Sequence, residues 1–119
     1  METQFEHVTD AAALESIFKR SHEGPVLLFK HSNACPISAR AYREMQEVNS
    51  PVSLVVVQKS RDISRAVEER TGVRHETPQA LLLRGGRVVW SATHFDITAD
   101  AVERAFKNAE AAPPGDKPQ

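Results

Sequence analysis

Val26-Leu27-Leu28-Phe29-Lys30-His31-Ser32-Asn33-Ala34-Cys35-Pro36-Ile37-Ser38 holds both a strand signal and a reactive group. The apolar run over residues 26–29 lies between Gly24-Pro25 and a short polar loop, as a buried strand would. Pro36 suits the first position of a helix, where its missing N–H costs nothing. A helical pattern then covers residues 36–48, with Ile37, Ala41, Met45 and Val48 on one face, until Asn49-Ser50-Pro51 ends it. Cys35 therefore stands at or beside the N-cap. Open backbone N–H groups and the positive end of the helix dipole favour a thiolate there. The thiolate is the nucleophilic form, so the stretch points to an activated thiol.

Working outward, residues 9–21 form a first helical pattern with Leu14, Ile17 and Phe18 on one face and Thr9 as the expected N-cap. Residues 52–57 are a second β-branched run, and residues 61–71 are helical up to Gly72, a natural stop. Two short apolar runs, 80–83 and 88–90, flank Gly85-Gly86 and read as a hairpin. A last helix starts near Thr98, with Ile97 and Val102 placed to form a hydrophobic staple. Residues 110–119 contain three prolines and no large apolar side chain, so a domain over 1–109 and a disordered tail are expected. The order is α-β-α-β-α-β-β-α. The first two strands, joined through a helix, should be parallel, and the hairpin adds antiparallel strands. That gives an α/β fold with a mixed four-stranded sheet and helices on both faces. Ligands of such sheets bind beyond the carboxyl ends of the parallel strands, which is where Cys35 falls.

Composition narrows the classes. With 15 Lys+Arg against 16 Asp+Glu, the formal net charge of −1 speaks against a general binder of nucleic acid or anionic membrane. No apolar run approaches the roughly 20 residues that span a bilayer. Met1-Glu2-Thr3-Gln4-Phe5-Glu6 has neither the basic region nor the apolar core of a signal peptide. Cys35 is the only cysteine, so no internal disulfide can form, and a reducing cytoplasm is the expected location.

This topology, with a cysteine at the first strand-to-helix junction, resembles the thioredoxin fold with an extra N-terminal helix. Thr77-Pro78 stands just before the third strand, where thioredoxin-like proteins carry a cis-proline packed against the active-site cysteine. The detailed match is to the monothiol bacilliredoxins of the bacillithiol system. Phe29-Lys30-His31-Ser32 and Cys35-Pro36-Ile37-Ser38 resemble that family. So do Tyr42, Arg61-Asp62-Ile63-Ser64, the stretch from Gly72 to Gln79, and Phe95-Asp96-Ile97-Thr98. The likeness covers about residues 5–107. Ala34 and Thr77 depart from it: a bulkier or more polar residue is expected before the cysteine, and serine is common before the proline.

The resemblance implies a monothiol thiol–disulfide oxidoreductase. Cys35 would remove bacillithiol from S-thiolated protein substrates, with bacillithiol as co-substrate and no tightly bound cofactor. A low-molecular-weight thiol or a partner reductase would complete turnover. Cys35, Ser38 and Pro36 are the implied catalytic residues. Thr77, Pro78, His31 and His75 are the implied substrate-binding ones. Ser38 falls where dithiol relatives carry a resolving cysteine. Its hydroxyl can donate to a thiolate or satisfy backbone groups in the first helical turn. His31 and His75 could tune the thiolate as cations, or lie solvated in loops. Strand alternation aims Lys30 at solvent, although it could attract the carboxylates of a small acidic thiol.

Other classes fare worse. His31, Cys35, His75 and His94 lack the compact spacing of a zinc site, so no metal is expected. Gly85-Gly86 is a turn and no phosphate loop. Trp90 and Phe95 read as core or groove packing. The alternatives are a glutathione-dependent, glutaredoxin-like protein, whose monothiol forms can bridge an iron–sulfur cluster, and a non-catalytic thioredoxin-fold module that senses thiol state.

Overall fold

In a computed structural model that describes residues 5–111, the chain begins β1 (Phe5–His7), α1 (Ala11–Arg20), β2 (Val26–His31), α2 (Pro36–Met45) and β3 (Val52–Val56). It continues with α3 (Arg61–Thr71), β4 (Gln79–Arg84), β5 (Arg87–Thr93) and α4 (Ala99–Ala111). A 3-10 turn, His94–Asp96, precedes α4. The sheet order is β1-β3-β2-β4-β5. β1 and β2 run parallel to β3, while β4 is antiparallel to both β2 and β5.

The sheet thus has five strands, where the sequence pattern predicts four. Phe5–His7 is too short to show an alternation of its own and becomes a strand by pairing with Val52, Ser53 and Leu54. Asp10, not Thr9, caps α1, its carboxylate accepting from the Ala13 N–H at 2.8 Å. α2 ends at Met45, yet Val48 stays buried because the chain turns back through a Val48 N–H to Met45 carbonyl bond of 3.3 Å. α4 runs to Ala111, so Glu110 and Ala111 are helical; the rest of the expected tail, 112–119, lies outside the described residues.

Several local predictions hold for physical reasons. Gly72 ends α3 at φ 72°, and its N–H donates to the Glu68 carbonyl. Gly85 and Gly86 have φ of 65° and 80°, the positive values that a tight two-residue hairpin needs. Thr98 Oγ1 accepts from the Ala101 N–H, with Ile97 and Val102 fully buried on either side of the cap.

β2 is the central strand, covered on both faces. Leu27 and Phe29 pack into one core with Ala41 and Met45 of α2 and Val102 and Phe106 of α4. Leu28 packs into the other, with Ile17 and Phe18 of α1 and Ile63 and Val67 of α3. Alternation continues along β2, so Lys30 falls on the α3 side and His31 on the α2 side. The strand then leaves the sheet toward Cys35.

Candidate active site

Cys35 is the N-cap of α2, with extended backbone (φ −114°, ψ 122°), and Pro36 occupies the first helical position. The Cys35 carbonyl accepts from the Ala39 N–H at 3.0 Å, the first bond of the helix. The next N–H groups, those of Ile37 and Ser38, have no acceptor within the helix at these positions. The thiol is half-buried and makes no capping bond. Sulfur therefore sits at the positive end of the helix, and Pro36, which has no N–H to leave unsatisfied, holds the helix start.

The loop between β2 and Cys35 is fastened from beneath. Ser38 is fully buried; its Oγ accepts from the Ser32 N–H at 2.8 Å and lies 2.8 Å from His31 Nδ1. Gln58 grips the same loop, its amide N–H donating to Ser32 Oγ at 2.7 Å and its oxygen accepting from the Asn33 N–H at 3.2 Å. Ser38 is thus an anchor of the loop. His31 is buried, its ring 4.9 Å from that of Tyr42. Burial pushes its pKa below the ordinary 6.5, against the opposing effect of hydrogen bonds to Ser38 and Asn33. A neutral imidazole follows, which supports a role for His31 in holding Ser38 rather than as a cation beside the thiolate.

The Thr77–Pro78 bond is cis, matching the sequence expectation. Lys30 pairs with Gln79 in the β2–β4 ladder, so Pro78 lies level with His31, at the end of β2 that leads to Cys35. Pro78 is buried and Thr77 half-buried. His75 ties this segment to the core: Nε2 lies 3.1 Å from Thr77 Oγ1, and Nδ1 lies 3.1 Å from Lys30 Nζ and 3.2 Å from Ser64 Oγ. The ammonium of Lys30 can only donate, so His75 Nδ1 accepts and Nε2–H donates to Thr77.

Lys30 corrects the solvent expectation, since none of it is exposed. Alternation assigns it a face, but α3 and the segment before β4 cover that face. Burial lowers its pKa, while the nearby Glu68 carboxylate acts the other way. Desolvation, followed by the Lys30 charge, lowers the pKa of His75 as well, with Glu68 and Glu76 opposing.

All seven expected site residues lie at the end of the sheet where β2 departs for α2. They form two groups: His31 and Ser38 beneath the Cys35 loop, and His75, Thr77 and Pro78 at the head of β4. Sequence reasoning missed Gln58 as a clasp and the burial of Lys30, because both depend on contacts across the sheet. Phe95 is 60% exposed rather than core, with the Arg40 guanidinium 5.4 Å from its ring centre. Among the described residues no group of three or more His, Cys, Asp or Glu is placed to hold a metal, and no helix is long and apolar enough to cross a membrane.

The sequence model of a family described as monothiol bacilliredoxin BrxC matches residues 6–102. The chain belongs to the monothiol bacilliredoxin family. It is a thiol–disulfide oxidoreductase that carries a single cysteine. Solved structures agree on the fold. A thioredoxin-fold protein to which oxidoreductase activity is ascribed is similar at 30% identity and a TM-score of 0.78, over 85% of this chain and 92% of that one. A mutant thioredoxin from Halobacterium salinarum NRC-1 is similar at 15% identity and a TM-score of 0.69, over 93% of this chain and 95% of that one. Thioredoxin NaTrxh from Nicotiana alata is similar at 13% identity and a TM-score of 0.70, over 92% and 96% respectively. The two thioredoxins bear on the fold alone.

Proposed function

We propose that Cys35 removes bacillithiol from protein thiols and carries the small thiol itself. The observation behind this reading is a lone, half-buried thiol at the N-cap of α2, reached from the end of β2 that lies level with the cis Thr77–Pro78 segment. The Cys35 thiolate attacks the bacillithiol sulfur of a protein mixed disulfide. The old S–S bond breaks as the new one forms, and the target cysteine leaves as a thiolate that takes a proton from water. Nothing is oxidised or reduced overall, because one disulfide replaces another. No second thiol can attack Cys35 from within the chain. A second low-molecular-weight thiol or a partner reductase must therefore displace the cap and return Cys35 to its reduced form.

Each site residue has a place in this reading. Pro36 sets the helix start so that first-turn N–H groups stay available to sulfur. Ser38, held by Ser32 and His31, fixes the loop that carries Cys35. The Thr77 backbone pairs with the extended target chain, in the manner of strand addition, with Pro78 beneath it. His75 steadies Thr77 through its Nε2–H. The S-thiolated partner proteins and a reducing cytoplasm fit a thiol that must stay free.

The test is release of the target thiol. A protein capped with bacillithiol, mixed with one equivalent of enzyme, should regain its free thiol with wild type and not with Cys35→Ser. Release by Cys35→Ser at the wild-type rate would contradict the role given to Cys35. Uncapping restricted to S-glutathionylated targets would replace bacillithiol with glutathione.

A further inference from the structure

An open cavity of about 350 Å³ lies between the Cys35 loop and α3. Ser32 and Gln58, the two sides of the loop clasp, are among the residues that line it. Ser32 is three residues from Cys35, so at most about 11 Å of extended chain separates them. A small thiol of tripeptide size, bonded through sulfur to Cys35, can span that distance.

The charges around the cavity are unbalanced. Arg61 and Arg65 line it, both exposed, and among the described residues neither has an ion-pair partner. They are four residues apart on α3, where like charges repel, and Arg61 is its first residue, where the helix dipole disfavours a cation. Both effects destabilise the empty protein slightly, and an anion between the two side chains relieves both. Glu68, the one acidic group of the lining, is already engaged: its carboxylate accepts from the His75 N–H at 2.9 Å and acts on Lys30. Behind His75 lies Lys30, fully buried with its Nζ on His75 Nδ1. Ser32 and Gln58 add a hydroxyl and an amide group that can donate to carboxylate oxygens, while the Ser64 hydroxyl is already directed at His75 Nδ1.

We propose that this cavity seats the carboxylate end of the small thiol during transfer, with Arg61 and Arg65 as the residues that select an acidic cap. The proposal rests on the thiol-transfer reading above and adds the ligand class: a low-molecular-weight thiol of about 10 Å reach that carries free carboxylates. Bacillithiol and glutathione both meet that description. The arginines do not touch the reacting sulfurs. They raise the share of encounters in which the capped sulfur is presented to Cys35.

The experiment compares caps that differ in charge and little in length. One target protein is prepared with a glutathione cap, a glutathione diester cap and a bacillithiol cap. Single-turnover transfer to Cys35 is timed for wild type, Arg61→Gln/Arg65→Gln and Arg61→Lys/Arg65→Lys. Wild type should prefer the glutathione cap to its diester by about tenfold, and added salt should shrink that preference. The ratio should fall to about one in the glutamine variant and stay well above one in the lysine variant, which keeps both charges. The acidic cap with the larger loss in the glutamine variant is the one the cavity fits. A wild-type ratio near one overturns the proposal and leaves the thiol-transfer reading standing. So does a ratio that survives in the glutamine variant. Loss of the ratio in both variants overturns it too, since charge would then not be the cause. Wild type that accepts no cap overturns both.

Discussion

Ser38→Ala should cost far more stability than its size suggests. The side chain is fully buried, and its Oγ accepts from the Ser32 N–H at 2.8 Å while meeting His31 Nδ1 at 2.8 Å. Alanine leaves both groups without that partner. An orphaned buried polar group costs about 1–3 kcal/mol. Ser32 is half-buried, so water recovers part of its share, while His31 is enclosed. The sum is about 2–4 kcal/mol, a large part of the ~5–15 kcal/mol that holds a domain together. The midpoint temperature should fall by roughly 8–16 °C for a chain of this size. Urea unfolding followed by the fluorescence of Trp90, the only tryptophan, measures the change, with the slope against urea unaltered. A loss below about 0.5 kcal/mol would refute the claim that this hydroxyl anchors the Cys35 loop.

Ser38→Cys should change the end product and leave the first step in place. A thiol one turn along α2 can displace the cap from Cys35 and close an internal disulfide, so mass spectrometry should find the small thiol released; a persistent adduct would mean that position 38 does not face the sulfur. Acid should destabilise the fold through His31. Its folded pKa lies below 6.5, so below pH 6.5 the unfolded chain binds more protons, and stability present above 6.5 is lost as pH falls through the lowered value. His75 acts in the same direction. Urea midpoints at pH 7 and pH 5 should differ less in His31→Asn than in wild type, and an equal difference would count against a neutral buried His31. Gly86→Ala should destabilise by about 1 kcal/mol or more, because φ is +80° and a Cβ would stand 3.1 Å from His22 Nε2; an unchanged thermal midpoint would contradict this.

The site was legible where local rules decide it. The N-cap place of Cys35 follows from an apolar run, a polar loop and Pro36, and those need no tertiary information. Gly72 and Gly85-Gly86 are equally local, because positive φ selects glycine. What the sequence hides is set by neighbours across the sheet. Phe5–His7 is a strand only because β3 offers it a free edge. Lys30 reads as solvent-facing by alternation, yet a central strand covered on both faces has no solvent side. Ser38 reads as a hydroxyl that donates to the thiolate or satisfies first-turn backbone, and only its contacts to Ser32 and His31 make it an anchor. Arg61 and Arg65 have no signal in the sequence that joins them to Ser32, and only the packing of α3 against the Cys35 loop puts all three around one cavity.

Intact mass after a single turnover tests the central claim most directly. Enzyme and a bacillithiol-capped target are mixed in equal amounts and quenched in acid, which halts exchange by protonating free thiols. The account predicts a target at its uncapped mass and an enzyme heavier by one bacillithiol, with the adduct mapped to Cys35 and stable until a further thiol is added. An enzyme at its unmodified mass beside a target that has lost its cap would contradict it, since the small thiol would then have left without passing through Cys35.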